Sequence, residues 1–115
     1  MSGQNNSLVS LRDQIRDFVT ERDWAQFHTP KNLACALSVE AAELLEPFQW
    51  LATGDVHELD EARRLAIRHE MADVFVYLLM LADRLNVDLI QAAQEKIQLN
   101  AEKYPVGQVR GDARK

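Results

Sequence analysis

The 115-residue chain has one cysteine, Cys35, so it can form no disulfide within itself, and a reducing, cytoplasmic setting is the expected one. Positive charge is also scarce. Thirteen Lys and Arg stand against 18 Asp and Glu, and the net charge of −5 disfavours nonspecific attraction to nucleic acid polymers or anionic membranes. The most apolar run, Val74 to Ala82, is bracketed by Asp73 and Asp83 and is far too short to cross a bilayer. The opening MSGQNNS lacks a basic and apolar leader, so no secretion signal is expected. There is no β-type alternation of any length, no internal repeat and no low-complexity segment. What is present, 47% hydrophobic and 27% charged residues, is ordinary for one soluble globular domain.

Helical periodicity accounts for nearly all of the chain. Residues 1–7 are small and polar and are expected to be disordered. Leu8, Leu11, Ile15, Phe18 and Val19 form one apolar stripe, predicting a first helix from about Ser7 or Val9 to Arg22, with Ser10 and Asp13 as a capping pattern. Thr29 followed by Pro30 reads as an N-cap with proline at the first helical position, so a second helix should run to about Glu46, before Pro47. Thr53-Gly54-Asp55 is a turn. A third helix should start between Val56 and Glu61 and continue to Leu85, with Asn86 as its stop. Its second half is apolar on nearly every side, which calls for cover on more than one face, partly from another subunit. Asp88 can cap a fourth helix, Leu89 to Tyr104, ended by Pro105; residues 106–115 read as a flexible tail. The expected architecture is all-α and bundle-like, with four main helices and a domain over residues 8–105.

The chain is organised around LSVEAAELLEPFQW, residues 37–50, where Glu40 and Glu43 lie three apart inside an apolar helical run. Three helical positions correspond to about 300° of turn and roughly 4.5 Å of rise, so both carboxylates project from one side. Glu70 and Asp73 repeat the spacing on the third helix, and residues 44–69 leave room for the chain to turn back. A solvated face is the ordinary reading of either pair alone. Here Leu37, Val39, Leu44 and Leu45 flank the first pair and the second opens the most apolar helix, where carboxylates are costly unless paired or coordinated. Four of them converging require a cation. Oxygen-only ligands select a hard one, Mg²⁺, with Mn²⁺ as a possible substitute. The three histidines and Cys35 show no zinc-ligand spacing. A di-iron bundle would need Glu-x-x-His, which His69, adjacent to Glu70, does not provide. Mg²⁺ held by few carboxylates keeps positions open for water and phosphates, which points to phosphoryl or nucleotidyl chemistry, with Glu43 available to orient or deprotonate a water.

Glu40-x-x-Glu43, then Glu70-x-x-Asp73, resembles the signature of the MazG-type all-α nucleoside triphosphate pyrophosphohydrolases. RDWAQFHTPKNLA, EPFQW, Asp73 followed by Tyr77, and EKIQLNAEKYP resemble the dCTP pyrophosphatase branch of that family. The resemblance covers roughly residues 8–105. It implies hydrolysis of a (d)NTP to the monophosphate and diphosphate, with dCTP or modified dCTP favoured and nucleotide-pool cleansing as the role. It also implies Mg²⁺ on Glu40, Glu43, Glu70 and Asp73, and a homo-oligomer, either a tetramer built from dimers or a dimer.

In that setting Trp24 and Trp50 become candidate stacking platforms for a base rather than core fillers. Tyr77, one turn beyond Asp73, either lines the same site or is buried with its hydroxyl satisfied. Asn100 is a candidate reader of the cytosine edge, Lys96 of a phosphate, and Tyr104 either lines the pocket or packs the helix end. His28 is a candidate contact to base or phosphate, with a structural loop role as the alternative. The competing reading of the whole chain is a non-catalytic acidic helical oligomer that binds metal or a partner protein.

Overall fold

The computed structural model describes residues 7–109 and Gly111. The chain forms α1 (Leu8–Glu21), α2 (Pro30–Leu45), α3 (Glu61–Arg84), α4 (Leu89–Lys103) and a short α5 (Val106–Val109). Single 3₁₀ turns at Ala25–Phe27 and Val56–Glu58 precede α2 and α3. No strand occurs among the described residues, so the all-α expectation is met. The disordered start expected over residues 1–7 lies outside the described residues except for Ser7. Of the expected flexible tail, Val106–Val109 is helical and residues 110 and 112–115 lie outside them.

The helix ends follow from side chains that replace the missing backbone partners. Thr29 accepts the Asn32 N–H at 3.1 Å with Pro30 in the first turn, and Asp88 accepts the Gln91 N–H at 3.0 Å, both as the sequence suggested. Asp60 does the same for α3, accepting from Arg63 at 2.8 Å. At α1 the cap is Ser7 rather than Ser10: Ser7 Oγ accepts the Ser10 N–H at 3.0 Å, one turn earlier than the Ser10–Asp13 pattern indicated. Asn86 stops α3 with φ 57°; its N–H reaches Asp83 O at 3.2 Å and that of Val87 reaches Ala82 O at 2.8 Å. This is the paired closure that a left-handed residue permits, and asparagine tolerates that conformation better than most residues. Asp23, φ 54°, closes α1 in the same way.

Helix α2 packs extensively on α3, and α1 contacts α3 less extensively. The fully buried apolar residues are few: Leu33 on α2, with Leu79 and Ala82 on α3. Arg16 on α1 ties to Asp83 on α3 through both carboxylate oxygens, Nε to Oδ2 at 2.8 Å and Nη2 to Oδ1 at 2.5 Å. Helix α4 buries none of its residues. The radius of gyration, 17.6 Å, exceeds the about 13 Å of a compact chain this long. Leu65 and Met71 of α3 are more than half exposed and, with Phe75 and Leu78, line an open apolar groove.

Candidate active site

Glu40 and Glu43 share one face of α2, and that face meets α3 at Glu70 and Asp73. Glu43 interacts with Glu70 and Glu40 with Asp73, so residue order reverses between the helices and α2 and α3 run antiparallel. One carboxylate oxygen from each of Glu40, Glu43 and Glu70 lies within 4.8 Å of the other two, and all three residues are half-buried. Asp73 is exposed and stands beside this trio, near enough to Glu40 to help raise its carboxyl. Burial, followed by the charge of Glu43 and the contact with Asp73, pushes the Glu40 carboxyl up to about 7. Burial and the neighbouring charges of Glu43 and Asp73 also raise Glu70, with a further contribution from Glu46. Carboxylates this close hold protons when no cation lies among them. Among the described residues no Lys or Arg makes an ion pair with any of the three.

Glu70 Oε2 is buried and has no hydrogen-bond partner. A buried acceptor left unpaired costs free energy unless something cationic meets it. The donor set is all oxygen, clustered and short of positive charge, and therefore fits a hard divalent ion. Glu46, one turn beyond Glu43, joins Glu43, Glu70, Asp60 and Arg63 around an adjoining open cavity. Sequence reasoning passed over Glu46, although the three-residue spacing continues through it.

Asp73 also belongs to a second feature. A cavity of about 430 Å³ between α1 and α3 is lined by Trp24, His28, Asp73 and Tyr77, with Leu11, Phe18 and Met80 among its apolar walls. Three of the seven expected substrate contacts therefore sit together beside an expected metal ligand. The closure of α1 at Asp23 fixes the Trp24 backbone, whose N–H reaches Val19 O at 3.1 Å. The Trp24 ring meets Phe18 edge-on with centroids 5.7 Å apart, and Arg22 lies 3.7 Å over the same Phe18 ring. Gln14 from α1 also lines the cavity and was not singled out from the sequence.

The remaining expected contacts are elsewhere in the chain. Trp50 is 87% exposed and lies outside the Trp24 cavity. Lys96 and Asn100 are exposed on α4, and Tyr104 is half-buried at its end, where its N–H bonds Asn100 O at 2.8 Å.

Fold and site together define an all-α domain with a carboxylate cluster that could hold a metal ion, adjoining an aromatic cavity. Residues 35–114 match the MazG-like family, and the chain belongs to it. It is 42% identical over 111 residues to dCTP pyrophosphatase 1 of Mus musculus, a match spanning 93% of this chain and 64% of that one. The corresponding human protein, dCTP pyrophosphatase 1 of Homo sapiens, is 40% identical over 111 residues, covering 95% and 65%. The chain thus spans just under two thirds of the length of these relatives. Among solved structures, a pyrophosphatase from Archaeoglobus fulgidus superposes with a TM-score of 0.80 at 42% identity, covering 88% of this chain and 94% of that one.

Proposed function

We propose that the chain is a Mg²⁺-dependent nucleoside triphosphate pyrophosphohydrolase, converting (d)NTP and water to (d)NMP and diphosphate. dCTP or a modified dCTP is its preferred substrate, and cleansing of the cytoplasmic nucleotide pool is its role. The observation that carries this reading is Asp73, which contacts the carboxylate trio through Glu40 while lining the Trp24 cavity. A triphosphate extending from a base in that cavity would reach the acidic cluster directly. The names of the relatives, dCTP pyrophosphatase and pyrophosphatase, support the same reaction.

Glu40, Glu43, Glu70 and Asp73 would hold Mg²⁺, or Mn²⁺ in its place, and the ion would supply charge neutralisation at the phosphates and a more acidic water. Glu43 orients the attacking water or takes its proton. Trp24 offers an aromatic face to the base, while Tyr77 and His28 border the same space. Trp50, Lys96, Asn100 and Tyr104 complete the substrate contacts in a homo-oligomer, either a tetramer built as a dimer of dimers or a dimer. Assembly is supported by the exposed apolar face of α3 and by an α4 with no fully buried residue.

The test is diphosphate release from a panel of nucleoside triphosphates in Mg²⁺ or Mn²⁺, with and without EDTA. Release that is fastest with a deoxycytidine nucleotide and abolished by EDTA is expected. No release from any triphosphate would leave a non-catalytic helical oligomer.

A further inference from the structure

The connection between α2 and α3 carries Trp50 and ends in an acidic side chain with no part in the carboxylate cluster. From Glu43 to Leu51 the backbone tightens into successive turns. Glu46 N–H bonds Glu43 O at 3.1 Å, Phe48 bonds Leu45 at 2.9 Å, and Leu51 bonds Phe48 at 2.9 Å. Two residues beyond Trp50, the Glu58 carboxylate gathers the chain. Its Oε2 accepts the Ala52 N–H at 3.0 Å, and its Oε1 accepts the Thr53 N–H at 2.8 Å, the Thr53 hydroxyl at 2.8 Å and the Gly54 N–H at 2.6 Å. Four donors converging on one carboxylate strongly favour its charged form. Accordingly the Thr53 hydroxyl, then the backbone N–H groups, hold Glu58 down to about 2.

The loop is closed from its other side as well. Gly54 has φ +79°, and a Cβ there would lie 2.7 Å from Phe48 Cδ1, so the Phe48 ring rests directly on the glycine. Glu58 is itself anchored, since Arg64 of α3 donates to Val56 O and Leu59 O, each at 3.2 Å, on either side of it. Trp50 therefore sits between two fixed points, Phe48 against Gly54 and Ala52 against Glu58, with its ring presented outward.

We infer that Glu58 is a positioning residue: it fixes the backbone that presents Trp50 to the nucleotide base. The nucleotide half of this inference rests on the proposed function; the mechanical half does not. Glutamine in place of Glu58 keeps the length but turns one acceptor into a donor facing backbone N–H groups, so the clasp opens.

The experiment is a double-mutant cycle of Glu58→Gln and Trp50→Ala, read by nucleotide kinetics and by ¹⁵N relaxation of the Trp50 amide (the latter in the Trp50-containing proteins). Glu58→Gln is expected to lower the Trp50 order parameter from about 0.85 to below about 0.6. KM should rise by about 5-fold or more while kcat stays within about 2-fold, the signature of lost binding rather than lost chemistry. In the Trp50→Ala background Glu58→Gln should change KM no further. An unchanged Trp50 order parameter overturns the inference. So does a KM penalty of the same size whether or not Trp50 is present. The relaxation measurement needs no nucleotide, so a protein that hydrolyses no triphosphate but loses Trp50 order disproves the enzymatic reading and upholds the clasp.

Discussion

Asp73 acts on Glu40 across the α2–α3 contact, helping to raise its carboxyl pKa, and Asp73 is at the same time a wall of the cavity lined by Trp24, His28 and Tyr77. The carboxylate cluster and the aromatic cavity therefore adjoin, with Asp73 on the border between them. Residues on the border should affect both halves, and residues deep in either half should affect one.

Asp73→Asn tests the border. It preserves shape but removes a charge beside Glu40, so divalent-cation affinity should fall by about 10- to 100-fold, the usual effect of disturbing groups around a metal site. Isothermal titration with Mn²⁺ measures this directly. Affinity equal to that of the unaltered protein would remove Asp73 from the cation site.

Glu40 makes a prediction about pH. Its carboxyl is held up to about 7 in the fold and lies near 4.5 when unfolded, so between these values the folded state binds more protons. Stability of the metal-free protein must then decline as pH rises from about 4.5 to 7 and remain lowered above that. Glu40→Gln should flatten this dependence, abolish turnover and leave the metal-free protein at pH 8 at least as stable as the original. Thermal unfolding in EDTA across pH 4.5 to 8 is the measurement, and marked destabilisation of Glu40→Gln would show a glutamate required for the fold itself.

The sequence disclosed those parts of the structure that depend on local spacing. Thr29-Pro30, Asp88 and Asn86 mark helix ends by chemistry confined to one turn, and they serve as expected. The convergence of Glu40, Glu43 and Glu70 was legible because a three-residue repeat on an apolar helix fixes which way the side chains point, whereas Asp73 is exposed beside the trio. Glu58 was not, because its partners at Ala52, Thr53 and Gly54 are backbone groups of a loop whose path no periodicity encodes. Trp50, Lys96 and Asn100 stand apart from the Trp24 cavity for a different reason. Grouping them with it drew on motif resemblance, which carries no information about which copy of a chain supplies each residue.

Glu58 also predicts behaviour in acid. Its folded value of about 2 lies below the ordinary 4.5, so its stabilising contribution is present above about pH 4.5 and is lost as pH falls toward 2. The amide resonances of Ala52, Thr53 and Gly54 should shift together with a midpoint near 2. A common midpoint near 4.5 would mean that the carboxylate does not hold those three groups in solution.

Trp24 should respond as a base platform rather than as core. It is 44% exposed, its ring contact is edge-on to Phe18, and it is not among the buried residues Leu33, Leu79 and Ala82. Trp24→Ala should weaken nucleotide binding by ~1–3 kcal/mol, the range for losing a stacked aromatic partner. Equilibrium binding of a non-hydrolysable deoxycytidine triphosphate analogue, with thermal unfolding alongside, separates the roles. Unchanged affinity with a large loss of stability would assign Trp24 to packing.

Phe75 is 40% exposed in the groove it shares with Met71 and Leu78 on α3. Exposed apolar surface in a continuous groove is ordinarily covered by a partner. The chain's own core is small, and a second copy is the occupant proposed above. Phe75→Glu places a charge in the centre of that groove and removes little from Leu33, Leu79 or Ala82. Sedimentation should then show the unaltered protein as an oligomer and Phe75→Glu shifted toward monomer, with helix content retained by circular dichroism. Activity should fall with the loss of assembly, because Trp50, Lys96 and Asn100 do not line the Trp24 cavity of the single chain. A Phe75→Glu protein that is monomeric and fully active would show that one chain suffices, and that those three residues lie outside the working site.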